Sequence, residues 1–361
     1  MQSSSGKYFL GLDHIRGLAA FMVFAWHFIH VNDQHLAEVS LVPFLTEGHT
    51  GVALFMTLSG YLFAKLLEDK RVHFRAFLWN RCLRLLPLLM LVIFIVGCRD
   101  YFFAGETFAY LRRVIRGVLA PTLPNGGWSI TVEFHFYLLL PLLLMCVRRS
   151  PWLLLLFVAA AVAIRAFLYS ETGEVQKLAY ATIFGRLDQF VLGILAYQVR
   201  HLFSGRHLLA AAVLIGFTVF YAWFEAAGGY YQFDAFPSSS AIWVVLTTIE
   251  GFAYASLIAW YDNSFKHSSG WFSRFLARVG TYSYSIYLLH FFFYAELAAL
   301  IDEFVLPLTN VYLALAFAPL AFLCMIPLGY LSFRFVEAPF LRFRTVYLQP
   351  PTPAKLQTVP G

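Results

Sequence analysis

The chain has 361 residues, of which 60% are hydrophobic and 13% charged, with 39 phenylalanines. A soluble domain carries about 25% charged residues, so this composition excludes a water-soluble globule and points to a polytopic membrane protein. The net charge of +6 is better explained by loop placement than by nucleic acid, and no nucleic-acid partner is expected.

Apolar runs at 13–32, 49–67, 85–103, 128–147, 151–169, 181–199, 207–225, 240–260, 281–301 and 311–333 each approach the ~20 residues a helix needs to cross the hydrocarbon. They predict an all-α fold, a polytopic transmembrane helix bundle of about ten spans over residues 1–345, with a disordered cytoplasmic tail over 346–361. The first run is long enough to span and no processing site follows it, so no cleavable signal peptide is expected. Lys65, Arg75, Arg148, Arg200 and Arg274 fall in one set of loops, and Glu47, Glu225, Asp302 and Glu303 in the other. By the positive-inside rule both termini are cytoplasmic. Arg112, Arg113 and Arg116 break that pattern and fit an interfacial amphipathic helix. No internal repeat and no second folded domain are expected. Cys82, Cys98, Cys146 and Cys324 form no CxxC or His/Cys cluster, so neither a disulfide framework nor a metal site is expected.

Polar residues inside the apolar runs are where chemistry is sought. Arg16 opens the first run and His27 lies deep in it. Three helical turns separate them, which puts both on one face within ~20° and ~16 Å apart along the axis. Ionisable groups inside a span usually face a functional cavity. Asp13 is one turn from Arg16, close enough for an ion pair. The plainer alternative is an interfacial Asp13–Arg16 anchor and a satisfied core histidine at position 27. His14 lies on the opposite face and reads as structural.

Arg81 and Arg84 are one turn apart where the third run begins, and two guanidiniums on one face make a fork for phosphate oxygens. Positive-inside bias with lipid headgroup contact would account for them as well. In the fourth run Ser129, Glu133 and Tyr137 recur every fourth residue and share a helix face. Ser129 is expected to cap that helix, and Trp128 to sit at the interface. Glu133 needs a partner or a proton at that depth, and an arginine or a histidine would supply one. A purely structural hydrogen bond is the alternative. Arg186 and Asp188 do not face each other, so each needs a partner elsewhere. Ser283, Tyr287 and His290 form a polar stripe, which lines a site or bonds helix to helix. Glu337-Ala338-Pro339 reads as a helix stop.

In this order the residues resemble the integral-membrane acyltransferase family 3. The resemblance rests on Leu12-Asp13 to Arg16-Gly17 with His27, and on Gly51-Val52-Ala53-Leu54-Phe55 leading to Leu58-Ser59-Gly60-Tyr61-Leu62. Arg81 and Arg84 before Pro87 follow, then Trp128-Ser129 to Glu133, Phe136-Tyr137 and Pro141. Gly280 with Tyr282-Ser283, Tyr287-Leu288 and His290, and Glu337 with Pro339, complete it. The chain departs from the family pattern at His14, where a glycine is frequent, and at Ala53 and Phe134, where acids are frequent.

The resemblance implies a membrane O-acyltransferase in a bacterial cytoplasmic (inner) membrane. It implies transfer of an acyl group, usually acetyl, from acyl-CoA to a hydroxyl of a cell-surface or exported carbohydrate or glycolipid. Acyl-CoA is then a donor substrate, and no tightly bound cofactor is expected. On that reading His27 is the general base, Glu133 holds its imidazole in one tautomer, and Asp13 orients Arg16. Arg16, Arg81 and Arg84 take the acyl-CoA phosphates. Trp128, Ser129, Tyr137, Arg186, Tyr287 and His290 line the site. Acylation of His27 itself is a variant the residues permit. The rival class is a transporter or flippase of a glycan-type substrate, against which stands the lack of paired broken helices in matching halves.

Overall fold

The structure, a computed structural model, describes residues 9–31, 42–68, 70–105, 107–231 and 236–349. Among these the chain is helical almost throughout. It opens with α1 (Leu10–Ile29), the one-turn α2 (Pro43–Thr46) and α3 (Gly51–Leu67). The long α4 (Phe74–Ala104) is followed by α5 (Thr107–Arg116), α6 (Trp128–Arg149) and α7 (Leu154–Thr172). Then come α8 (Gln176–Ala181), α9 (Ile183–Gln198), α10 (His207–Ala226) and α11 (Leu246–Ser264). The last helices are α12 (Trp271–Leu289), α13 (Tyr294–Phe304), α14 (Val311–Ser332) and the short α15 (Ala338–Leu341).

Six helical stretches among the described residues are long and apolar enough to cross a membrane: Gly48–Leu67, Phe74–Phe103, Trp128–Arg149, Pro151–Thr172, His207–Ala226 and Val311–Leu341. A seventh would join α12 to α13, but that pair bends by 63°. The run expected over 281–301 is therefore a broken element. Three other expected runs, now α1, α9 and α11, fall outside the six. Each carries buried polar groups: Asp13 in α1, Arg186, Asp188 and Gln189 in α9, Glu250 in α11. Arg112, Arg113 and Arg116 lie on α5, with Phe108, Leu111 and Ile115 exposed on the same short helix.

Close helix crossings set the frame. α9 is buried nearly along its length and meets α3 backbone to backbone. A Cβ on Gly60 would lie 2.0 Å from the Phe190 carbonyl oxygen, and one on Gly193 would lie 2.1 Å from that of Thr57. Small residues at such crossings are how membrane helices gain packing contact. α1 crosses α12 the same way: a Cβ on Gly280 would sit 1.8 Å from the Asp13 carbonyl oxygen. That crossing brings Thr281, Ser283 and Tyr284 level with Asp13 and Arg16.

Two boundaries differ from the sequence expectation. α4 starts at Phe74, not near 85, so Arg81 and Arg84 ride in its third turn rather than at its mouth. The tail expected from 346 is ordered at its start. β2 (Leu348–Gln349) pairs antiparallel with β1 (Arg71–Val72), the His73 N–H donates to the Tyr347 carbonyl at 2.9 Å, and the Tyr347 ring is buried. Backbone hydrogen bonds and a buried ring hold this segment. Residues 350–361 lie outside the described residues.

Candidate active site

A cavity of about 220 Å³ opens among α1, α3, α4, α6, α12 and the segment that follows α15. It brings together Asp13, Arg16, Arg81, Arg84, Ser129, Glu133, Tyr137 and Tyr287, residues spread over 275 positions of sequence, from 13 to 287. The guanidiniums are held differently. Arg16 donates to Asp13 at 2.7 Å, one turn back on the same helix. Arg84 pairs with Glu337, whose other oxygen accepts from Ser285. Arg81 lies between the rings of Phe63 and Phe77, 5.2 and 5.5 Å from their centroids. Its Nε is buried without a hydrogen-bond partner.

The helix stop expected at Glu337 is not found, because the helix runs on to Leu341. α14 continues through a π-turn (Phe333–Glu337) into α15 and carries the carboxylate fully into the core. Arg84 is thus not an open half of a phosphate fork. The local sequence gave no sign of this ion pair, because its partners are 253 positions apart.

Glu133 accepts from Tyr137, one turn along α6. No described contact joins it to His27. Ser129 does not cap α6 either. The N-cap is Gly127, and the Ser129 hydroxyl donates to the Gly126 carbonyl at 2.9 Å. Tyr287, two turns down α12 from Gly280, donates to that same carbonyl at 3.2 Å.

His27 lies outside the cavity lining, in a small aromatic nest one turn of α12 further on. Its ring packs 4.7 Å from Phe291, 4.8 Å from His290 and 5.6 Å from Tyr294. His290 occupies the break between α12 and α13, where its Nδ1 meets the Tyr287 carbonyl at 2.7 Å. That contact requires the proton on Nδ1 and leaves Nε2 as an acceptor. His27 Nδ1 meets the Val23 carbonyl at 2.9 Å and His290 Nε2 at 3.3 Å. Both neighbours are acceptors, so His27 carries its proton on Nδ1. Its Nε2 keeps a lone pair with no described partner. This tautomer is assigned from the hydrogen-bond network.

Trp128 and Arg186 are not brought to the cavity. Trp128 is half-buried and packs 5.0 Å from Tyr180. Arg186 is fully buried, stacks 4.5 Å over Tyr180, and pairs with Glu250 at 3.3 Å. His14 bonds the Tyr261 hydroxyl at 2.9 Å and the Ser273 carbonyl at 2.8 Å, a tie between helices. The lining also holds residues that the sequence does not single out for the site, among them Ser59, Thr281, Tyr284, Arg344 and Tyr347, the last two in the segment that follows α15.

The cavity thus holds four guanidiniums, and His27 lies outside its lining. Residues 9–332 match the family described as an acyltransferase domain (Acyl_transf_3). The chain belongs to this family. Among its relatives, the O-acetyltransferase OatA of Staphylococcus aureus (strain NCTC 8325 / PS 47) is 24% identical over 80% of this chain and 51% of its own length. YrhL of Bacillus subtilis (strain 168), provisionally named a peptidoglycan O-acetyltransferase, is 24% identical over 79% of this chain and 48% of its own. SACOL0978 of Staphylococcus aureus (strain COL), provisionally named an O-acetyltransferase, is 21% identical over 92% of this chain and 57% of its own. The chain spans about half the length of the curated relatives it matches. No solved structure matches it.

Proposed function

We propose that this integral-membrane acyltransferase moves an acyl group, acetyl in the first instance, from acyl-CoA to a hydroxyl of a cell-surface or exported carbohydrate or glycolipid. The reading places it in a bacterial cytoplasmic membrane with both termini cytoplasmic. It counts α1, α9 and α11 as polar-bearing spans beside the six apolar stretches and the bent α12–α13 pair, about ten in all. Family membership and the names of OatA and YrhL support the chemistry. The observation that carries the site is the His27 tautomer, with Nε2 free beyond an arginine-lined cavity.

The cavity of about 220 Å³ is smaller than the ~300–1,000 Å³ of a site that encloses a whole drug-sized ligand. It suits a slender pantetheine arm, with the nucleotide phosphates left among the arginines. The arm covers the ~16 Å between the levels of Arg16 and His27. The acyl end must pass Tyr287 and Phe291, the side chains that crowd Gly126 at the inner end. His27 Nε2 takes the proton of the acceptor hydroxyl while that oxygen attacks the thioester carbonyl carbon. The carbon–sulfur bond then breaks, and the imidazolium returns the proton to the coenzyme A thiolate. His290 Nε2, accepting from His27 Nδ1, stabilises the imidazolium. A positioned base of this kind contributes ~10²–10⁴ in rate.

The test is coenzyme A release by the purified protein with acetyl-CoA and a membrane glycolipid extract, wild type beside His27→Ala. Release that depends on the extract and disappears in the variant is expected. Equal release from both would remove His27 from the chemistry.

A further inference from the structure

Residues beyond 332 lie outside the family match, yet they complete the wall of the arginine cavity with Arg344 and Tyr347. We propose that this returning segment is part of the donor site, and that Arg344 and Arg81 together bind a phosphate group of the donor. The inference rests on the acyl-CoA reading above.

Charge matching inside the cavity leads to it. Four guanidiniums line the space, and two are neutralised: Arg16 by Asp13 and Arg84 by Glu337. Arg81 and Arg344 have no carboxylate at ion-pair distance among the described residues, and each has a buried Nε without an acceptor. Glu133, whose oxygen is taken by Tyr137, offsets one of these charges and not two. Burial and the neighbouring Arg81 and Arg84 push the Arg344 guanidinium down to about 10. Buried N–H donors and crowded like charges are unfavourable until an anion with several oxygens fills the gap, which a phosphate does.

The segment is also held in place for this task. Asn80, fully buried, donates from Nδ2 to the Thr345 carbonyl at 2.7 Å and accepts from the Thr345 N–H at 3.0 Å. Trp79 Nε1 donates to the Phe343 carbonyl at 3.3 Å. The residues on either side of Arg344 are thus anchored to α4 at Trp79 and Asn80, the two positions just before Arg81. β1 and β2 secure the far end. A guanidinium whose backbone is fixed on both sides loses little freedom on binding.

The experiment is calorimetric titration of the full chain in nanodiscs of zwitterionic lipid with coenzyme A and with pantetheine, which is the same arm without phosphates. Wild type, Arg344→Gln and Arg344→Lys are compared, with thermal melting as the folding control. Arg344→Gln is expected to weaken coenzyme A binding about tenfold or more and leave pantetheine binding unchanged, with Arg344→Lys in between. Coenzyme A binding unaltered by Arg344→Gln overturns the inference and leaves the donor reading intact. Wild type that binds pyrophosphate through Arg344 but not coenzyme A overturns the donor reading. Wild type that binds neither overturns both. A variant that loses only phosphatidylglycerol retention, in nanodiscs containing that lipid, turns the site into a lipid headgroup site and overturns it as a donor site.

Discussion

Two groups of arginines lie inside this bundle, and they are built to different rules. In the α7–α9–α11 core each guanidinium has its own carboxylate, although one donor, Arg186 Nη2, is buried without a partner. Arg165 donates to Asp188 at 2.7 Å, to the Val244 and Gly185 carbonyls at 2.8 and 2.9 Å and to Thr248 at 2.8 Å, with both charges fully buried. Arg186 meets Glu250, Gln189 and the Tyr180 carbonyl in the same layer. In the cavity bounded by α1, α4 and α12 the guanidiniums outnumber their counter-ions, and Arg81 and Arg344 have no carboxylate at ion-pair distance among the described residues. Matched charges fasten helices together, whereas unmatched ones await a ligand. Arg186, expected to line the site, belongs to the first kind.

The largest contrast comes from breaking a matched pair. Asp188→Ala strands Arg165 in the core, a loss of about 3–5 kcal/mol. Little folded protein is expected by gel filtration in detergent, whatever the donor. Replacing both partners, Arg165→Met with Asp188→Leu, removes the stranded charge and should recover folding. Failure of the double variant would mean that the pair does more than join helices.

His27→Ala comes next. Turnover should fall ~10²–10⁴-fold with an unchanged melting temperature and unchanged coenzyme A affinity, because the ring lies outside the cavity lining. Loss of affinity as well would place the donor's arm against His27 in the resting state. Arg81→Gln should weaken coenzyme A binding by about 1.5–3 kcal/mol with little effect on melting. Arg84→Gln should instead lower the melting temperature, because Glu337 is left buried alone. If both variants behave alike, the distinction between matched and unmatched charge fails at this site. The smallest effect is expected from Tyr137→Phe, which removes one hydrogen bond to Glu133, about 0.5–1.5 kcal/mol. A donor-affinity series across the Tyr137 and Arg81 variants would measure their coupling.

Much of this was legible in the sequence. Each expected apolar run contains a helix, and Asp13, Arg16, Arg81, Arg84, Glu133 and Tyr137 meet in one cavity. Periodicity and burial cost are local properties, and they suffice to find such residues. Counter-ions are a different matter. Nothing within a few residues of Arg84 names Glu337, and the π-turn that turns Glu337 inward has no pattern of its own, whereas the i,i+4 spacing of Glu133 and Tyr137 does place them on one face. The break at His290 is equally silent, since the flanking residues are apolar and helix-compatible. Requiring each intramembrane arginine to find an acid would have drawn Glu337 into the search. Arg344 would have escaped even that test, because it has no acid.

The ion pair between α4 and the end of α14 also sets an order of assembly. Glu337 leaves the ribosome 253 residues after Arg84, a delay of roughly 13–50 s at about 5–20 residues per second. Throughout that interval α4 is in or beside the bilayer with Arg84 unmatched and with no partner for β1. The stretch from Glu337 to Gln349 therefore both neutralises the early helix and closes the wall of the cavity. A nascent chain arrested before that point would present an open, strongly cationic cleft, and quality-control machinery that senses unpaired charge within the membrane would meet it there.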